Sequence, residues 1–281
     1  KARSVFQPIA IFLNVHMYGV MIAVGLLCAF GVLFFYSKRL NVTSYFVDFI
    51  FYVAVGAIVL GFGVATLVQA FYNWLENPDA GFKIGEGFTF LGGLIGGALT
   101  FVLFGLLSRR PERRAALLPV AELAAPCLVL AHAIGRIGCF LAGCCYGKVS
   151  DHGIYMPAVG AKVIPTQIIE AAFLFALFGL LLWFTLSDKV KGFNLASYAF
   201  DYSAFRFVIE FFRDDYRGSF IPGLSPSQFQ SIILLAVGVF VVALRLKYPE
   251  RFSLATDPAS ENSDDPTNSP DNSPEKSDEN D

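Results

Sequence analysis

The chain is expected to be an all-α integral membrane protein: a seven-transmembrane-helix bundle, N-terminus outside and C-terminus cytoplasmic. Three observations lead there. Of 281 residues, 55% are hydrophobic and only 16% charged, and 30 are phenylalanine, too apolar a composition for a water-soluble globule. The apolar residues gather into runs of about 20, the length at which a helix crosses hydrocarbon. The basic residues gather at alternate ends of those runs.

Taken in order, the runs are 14–36, 47–72, 88–107, 117–134, 167–186, 193–212 and 229–246. The sixth contains Asp201, Arg206 and Glu210; it counts as a span because ionisable groups inside membrane helices mark function. Lys38 and Arg39 follow the first run, Arg109, Arg110, Arg113 and Arg114 the third, Lys189 and Lys191 the fifth, and Arg245, Lys247 and Arg251 the seventh. The opposite loops are sparser, with Lys83 beside Glu76, Asp79 and Glu86. The positive-inside rule then puts the odd-numbered exits in the cytoplasm, which an odd number of spans also requires. Residues 1–252 form the membrane domain. Residues 253–281 hold nine acids and one lysine with almost nothing apolar, which predicts a disordered acidic cytoplasmic tail. That tail accounts for the net charge of −2, and no basic excess points to nucleic acid.

Helix rise of about 1.5 Å per residue gives each polar group a depth. Tyr18, Gly92 with Gly93, Arg136, Gln167 with Glu170, and Arg206 then fall at one level, towards the outside. On the sixth run Tyr202, Arg206, Glu210 and Arg213 recur at spacings of 4, 4 and 3, which places them on one helical face. Glu210 can pair with either arginine and leave the other for a ligand; a self-neutralising stripe between helices is the competing reading. Arg136 has no partner in its own helix, which favours an external anion, and guanidinium suits phosphate because its planar fork binds two oxygens and stays charged. GGLIGG at 92–97 supports either close helix packing or backbone approach to a lipid headgroup.

The segment 135–147, GRIGCFLAGCCYG, contains Arg136, three of the five cysteines and four glycines. Cys28 and Cys127 lie inside apolar runs and behave as small hydrophobes. Cys139, Cys144 and Cys145 lie on the outer side, where oxidation is open to them; Cys139 is the easier disulfide partner for either neighbour. With His132 the pattern is H-x6-C-x4-C-C, which matches no zinc-motif spacing, so no metal and no cofactor are expected. His132, four residues before Arg136, is either a general base or a core histidine bonded to a carbonyl. His16 is an interfacial anchor and His152 a solvated loop residue.

At these residues the chain resembles the prolipoprotein diacylglyceryl transferase family of bacterial inner-membrane enzymes. HMYG at 16–19 is similar to that family's H-x-Y-G, and FLGGLIGG at 90–97 to its H-G-G-L-I-G. Glu122 and Ala125-Pro126 fit the positions preceding its signature. GRIGCFLAGCCYG follows its G-R-x-G-N-F-x-N-G-E-x-x-G, and PTQIIE at 165–170 resembles P-S-Q-x-x-E. The most specific match is YSAFRFVIEFFR at 202–213, similar to Y-x-x-x-R-x-x-x-E-x-x-R.

The resemblance implies a transferase. Phosphatidylglycerol gives its diacylglyceryl group to the lipobox cysteine thiol of a preprolipoprotein and releases glycerol phosphate, at the outer face of the bacterial inner membrane. Arg136, Arg206 and Tyr18 match functional residues of the family, and His132 joins them as a candidate for proton transfer. Gly92, Gly93, Gly147, Gln167, Glu170, Tyr202, Glu210, Arg213, Cys139 and Cys144 are the expected substrate-binding set. The implied partners are phosphatidylglycerol, the preprolipoprotein lipobox peptide and the lipid bilayer. Three departures stand out: Leu91 occupies the place of a histidine, and Cys139 and Cys144 those of an asparagine and a glutamate. They keep two other readings open. One retains the fold with a changed acceptor or a thiol-redox role; the other is a non-catalytic protein binding anionic lipid or a lipoprotein.

Overall fold

A computed structural model describes residues 17–40, 42, 44–85, 90–187, 192–213 and 224–252. His16, Glu86, Lys189, Lys191 and the predicted tail at 253–281 lie outside the described residues. The chain is built from helices α1 (Met17–Arg39), α2 (Ser44–Glu76), α3 (Phe90–Leu106), α4 (Pro111–Ala115) and α5 (Leu117–Leu141). Strands β1 (Val149–Met156) and β2 (Ala161–Val163) follow, then α6 (Thr166–Leu186), α7 (Asn194–Ile209) and α8 (Pro226–Lys247). Within α1, α2, α5, α6 and α8 are five stretches long and apolar enough to cross a membrane. The third and sixth predicted runs are also helical, but α3 has 17 residues and α7 has 16. Large apolar side chains stand outward along the helices, such as Leu27 at 72% and Phe35 at 65% exposure; lipid, not water, satisfies such a surface. The chain is a multi-pass helical membrane protein.

Helix α1 lies against α5, with Gly25 close to Ala131. Helices α5, α6 and α7 pack together around Val129, Ala133, Leu174, Leu177 and Leu181, and α8 returns along α7. Tyr18, Arg136, Glu170 and Arg206 thereby come to one end of the bundle. Lys38, Arg39, Arg113, Arg114, Arg245 and Lys247 belong to the other, where α1, α2 and α5 share a core of Leu33, Phe49, Ile50, Val120 and Leu123.

Helices α2 and α3 pack through the glycines. A Cβ on Gly96 would stand 2.7 Å from Val64 Cβ, and one on Gly92 3.0 Å from Val68 Cβ. Of the two readings of GGLIGG, close packing is therefore what these glycines do: small residues let two helices approach where hydrocarbon offers no other attraction.

The segment between the fourth and fifth predicted runs carries β1 and β2. They form an antiparallel hairpin pairing Tyr155 with Lys162 and Met156 with Ala161. VSDHGIYM and AKV flank the short turn PAVG, and that turn between two short runs was the available signal.

At the basic end, Glu122 of α5 is fully inside the bundle. Its carboxylate accepts from the backbone N–H groups of Asn194 at 2.7 Å and Leu195 at 3.3 Å, so a side chain from another helix caps α7. Asn194 Nδ2 donates to Glu122 O at 3.1 Å and to Thr185 Oγ1 at 2.8 Å, tying α5, α6 and α7 together. Glu122→Ala leaves those donors unmet and is expected to lower stability by about 1–3 kcal/mol. Glu122→Gln, which keeps one acceptor, recovers part of it. The check is the heating midpoint of monodisperse protein in detergent.

Candidate active site

Glu170, on the second turn of α6 and 1% exposed, is the hub. Arg136 Nη2 of α5 lies 2.9 Å from its Oε1, and Arg206 Nη1 of α7 lies 3.6 Å from its Oε2. Two guanidinium groups from different helices thus meet on one carboxylate. Tyr202 donates to Glu170 Oε1 at 2.8 Å, and Arg136 Nη2 reaches the Tyr202 hydroxyl at 3.5 Å. Arg206 is held by Glu210 at 3.0 Å and donates to Ser227 Oγ of α8 at 2.8 Å. That serine is fixed in turn by the start of α8, where Ser225 and Gln228 exchange backbone and side-chain bonds in a capping box.

Two expectations change here. Arg136 does not await an external anion for a partner, because Glu170 comes to it from a neighbouring helix. Glu210 does not choose between Arg206 and Arg213 but lies between them, 3.0 Å from one and 3.7 Å from the other. Among the described residues the ion-paired group holds the guanidinium groups of Arg136, Arg206 and Arg213 and the carboxylates of Glu170 and Glu210. Arg136 Nε and Arg206 Nη1 are buried without a hydrogen-bond acceptor among the described residues. Buried guanidinium donors with no acceptor among the described residues suit an anion such as phosphate.

His132 stands between Tyr198 and Tyr202, each hydroxyl 3.5 Å from one ring nitrogen, and its Nε2 is 4.0 Å from Glu170. It belongs to the cluster, and both of these contacts are to tyrosine hydroxyls. Tyr18 of α1 covers Gly138, whose added Cβ would lie 3.4 Å from the Tyr18 ring. Tyr18 is within electrostatic range of Arg136, Cys139, Cys144 and Cys145. Tyr198 and Ser227 escaped the sequence reading. Tyr198 lies four residues before Tyr202 and extends the same face by one step; Ser227, in the first turn of a different helix, had no such signal.

Gly147 is a crossing point of backbone. It bridges to Arg213, its N–H donates to Ile164 O at 2.9 Å, and Lys148 N–H donates to Phe212 O at 2.8 Å. An added Cβ would stand 2.6 Å from Phe212 O, 2.8 Å from Thr166 Cγ2 and 2.9 Å from Ile164 Cβ. Gly147→Ala is therefore expected to cost about 1–3 kcal/mol and to displace Arg213. A lowered heating midpoint together with reduced activity checks it; an unchanged midpoint refutes it. Gln167 Nε2 and Thr166 Oγ1 donate to the carbonyls of Cys144 and Cys145, so Gln167 anchors the loop after α5.

The structure does not bring the whole predicted set together. Gly92 and Gly93 face α2, against Val68 and Ala65. Leu91 lies in α3 and nothing further is described of it.

Fold and site together define a multi-pass helical membrane protein with an arginine-rich buried centre at one end of its bundle. The profile of the family described as prolipoprotein diacylglyceryl transferase matches residues 5–244. The chain is 37% identical over 240 residues to phosphatidylglycerol–prolipoprotein diacylglyceryl transferase 2 of Clostridium perfringens, covering 82% of this chain and 90% of that one. It is 34% identical to the corresponding transferase of Clostridium tetani, covering 82% and 92%. To that of Dehalococcoides mccartyi it is also 34% identical, covering 84% and 91%. The chain belongs to the prolipoprotein diacylglyceryl transferase family.

Proposed function

We propose that this chain is a phosphatidylglycerol–prolipoprotein diacylglyceryl transferase, moving the diacylglyceryl group to a lipobox cysteine thiol and releasing glycerol phosphate. The observation that carries the reading is the meeting of Arg136 and Arg206 beside Glu170, in a chain of this family. The reaction builds charge on the departing phosphate. Guanidinium groups already held by Glu170, Glu210 and Ser227 meet that charge without reorganising, where little water screens them.

In this reading Arg136 and Arg206 clamp the phosphate, and Arg213 and Glu210 set the position of Arg206. Tyr18, Gln167 and Tyr202 shape the site, and Gly147 holds the loop that closes it. The thiol must lose its proton to attack, and His132 is the nearby side chain suited to take it, directly or through one water. The bundle has seven spans, N-terminus outside and C-terminus cytoplasmic. The concentration of basic residues at the end remote from Arg136 supports that orientation, which opens the site to the periplasmic or outer face.

The test supplies purified protein in vesicles with headgroup-labelled phosphatidylglycerol and a lipobox peptide. Lipidated peptide and labelled glycerol phosphate should appear in equal amounts, and neither with a peptide whose cysteine is serine. No transfer at any enzyme level removes the reading.

A further inference from the structure

Three cysteines that look unpromising in sequence converge in space. The Sγ atoms of Cys139, Cys144 and Cys145 all lie within 4.8 Å of one another, and no disulfide joins them. Cys139 sits in the last turn of α5. The chain then reverses through left-handed backbone at Gly143 (φ 69) and Cys145 (φ 64). Cys144 N–H donates to Cys139 O at 3.1 Å, and Thr166 and Gln167 hold the next two carbonyls. The loop is thus shaped by backbone and by α6, with Cys144 Sγ donating to Cys139 O at 3.5 Å and the three sulfurs held close together. This reversal is why the spacing matched no zinc motif.

We propose that Cys139, Cys144 and Cys145 bind one zinc ion whose fourth position takes the lipobox cysteine thiol. The inference rests on the transferase reading and names how its nucleophile is made. At the usual Zn–S distance of about 2.3 Å, sulfurs in a tetrahedron stand about 3.8 Å apart, a small contraction from the arrangement described. Three protein ligands with one open position is the pattern of catalytic rather than structural zinc. Cys139 is buried while Cys144 is exposed, so the open position faces the side from which a peptide arrives. Three thiolates on a dication leave one negative charge. Arg136, within electrostatic range of Cys139, offsets it.

The step balances without a redox partner. The lipobox S–H coordinates the metal and loses its proton, because a coordinated thiol is deprotonated, and His132 or bulk water takes it. The sulfur attacks the glyceryl carbon bearing the phosphate. A C–S bond forms, and the C–O bond breaks with its electron pair on the phosphate oxygen. Glycerol phosphate leaves, and the neutral thioether, a weaker ligand than a thiolate, gives way to water.

The test uses the full chain, purified in detergent under reducing conditions and titrated with Co2+ as a visible stand-in for Zn2+. One equivalent should bind with thiolate-to-cobalt charge-transfer absorption, displaced by Zn2+. The band should shift when a lipobox peptide is added, and not when its cysteine is serine. Cys139→Ser and Cys144→Ser should each remove the band. Chelation of the wild-type protein should lower transfer by about 100-fold, restored by Zn2+. Absence of the band while all three thiols remain titratable overturns the proposal. So does a disulfide among them in protein alkylated in native membranes. Undiminished transfer by metal-free wild type overturns it and leaves the transferase reading standing. A peptide-shifted cobalt band in a protein that transfers nothing does the reverse.

Discussion

Arg206→Ala is expected to lower diacylglyceryl transfer by about 10²–10³-fold, and Arg136→Ala to do the same. Each removes a preorganised donor from the phosphate that gains charge as the C–O bond breaks. The two losses have different structural consequences. Without Arg136, Glu170 keeps Tyr202 and Arg206 as partners; without Arg206, Glu210 keeps Arg213. Neither variant strands a carboxylate, so both should remain folded and monodisperse. Arg→Lys at either position should not restore the rate, because a point charge cannot reproduce a planar fork holding Glu170 and a phosphate together. Turnover of labelled phosphatidylglycerol with a lipobox peptide measures it. Wild-type rates in either alanine variant take the guanidinium groups out of the chemistry.

Glu170→Ala should be the most destabilising single change in the site, by about 3–5 kcal/mol. The carboxylate is 1% exposed and lies between Arg136 and Arg206. Removing it leaves two guanidinium charges facing each other in a poorly screened interior. Tyr202 also loses the acceptor of its 2.8 Å hydrogen bond. Glu170→Gln keeps an acceptor for Tyr202 but not the charge, and should fall between wild type and alanine. The heating midpoint in detergent reads this directly. Added phosphatidylglycerol should raise the Glu170→Ala midpoint more than that of wild type, because its phosphate replaces part of the missing negative charge. A Glu170→Ala protein as stable as wild type would mean the arginines are not held by this carboxylate.

Much of the bundle was legible because helix periodicity and hydrocarbon thickness act on contiguous residues. Each of the seven predicted runs contains a helix among the described residues. The single charged face predicted over 202–213 does not hold throughout: α7 ends at Ile209, Glu210–Phe212 forms a 3-10 turn and Arg213 is extended, bridging to Gly147. Arg206 and Glu210 do pair four residues apart, as helical spacing requires. The hairpin at 149–163 was missed because its strands are short. The pairing of Arg136 with Glu170 was missed because it joins residues 34 positions apart on different helices. The cap that Glu122 sets on α7 spans 72 positions. Gly92 and Gly93 show the converse: their small size was plain and two readings stayed open, but only the tertiary structure shows what they pack against, Val68 and Ala65 of α2.

Sequence by itself determined the class of protein, where the main helices fall and the four-residue step that pairs Arg206 with Glu210, since hydropathy and spacing along one helix are local properties. Tertiary structure decided which arginine meets which carboxylate, what the glycines touch, and that three thiols separated by a turn share one point. Those depend on how helices pack side by side, and the free energy of a buried charge is set by its neighbours in space.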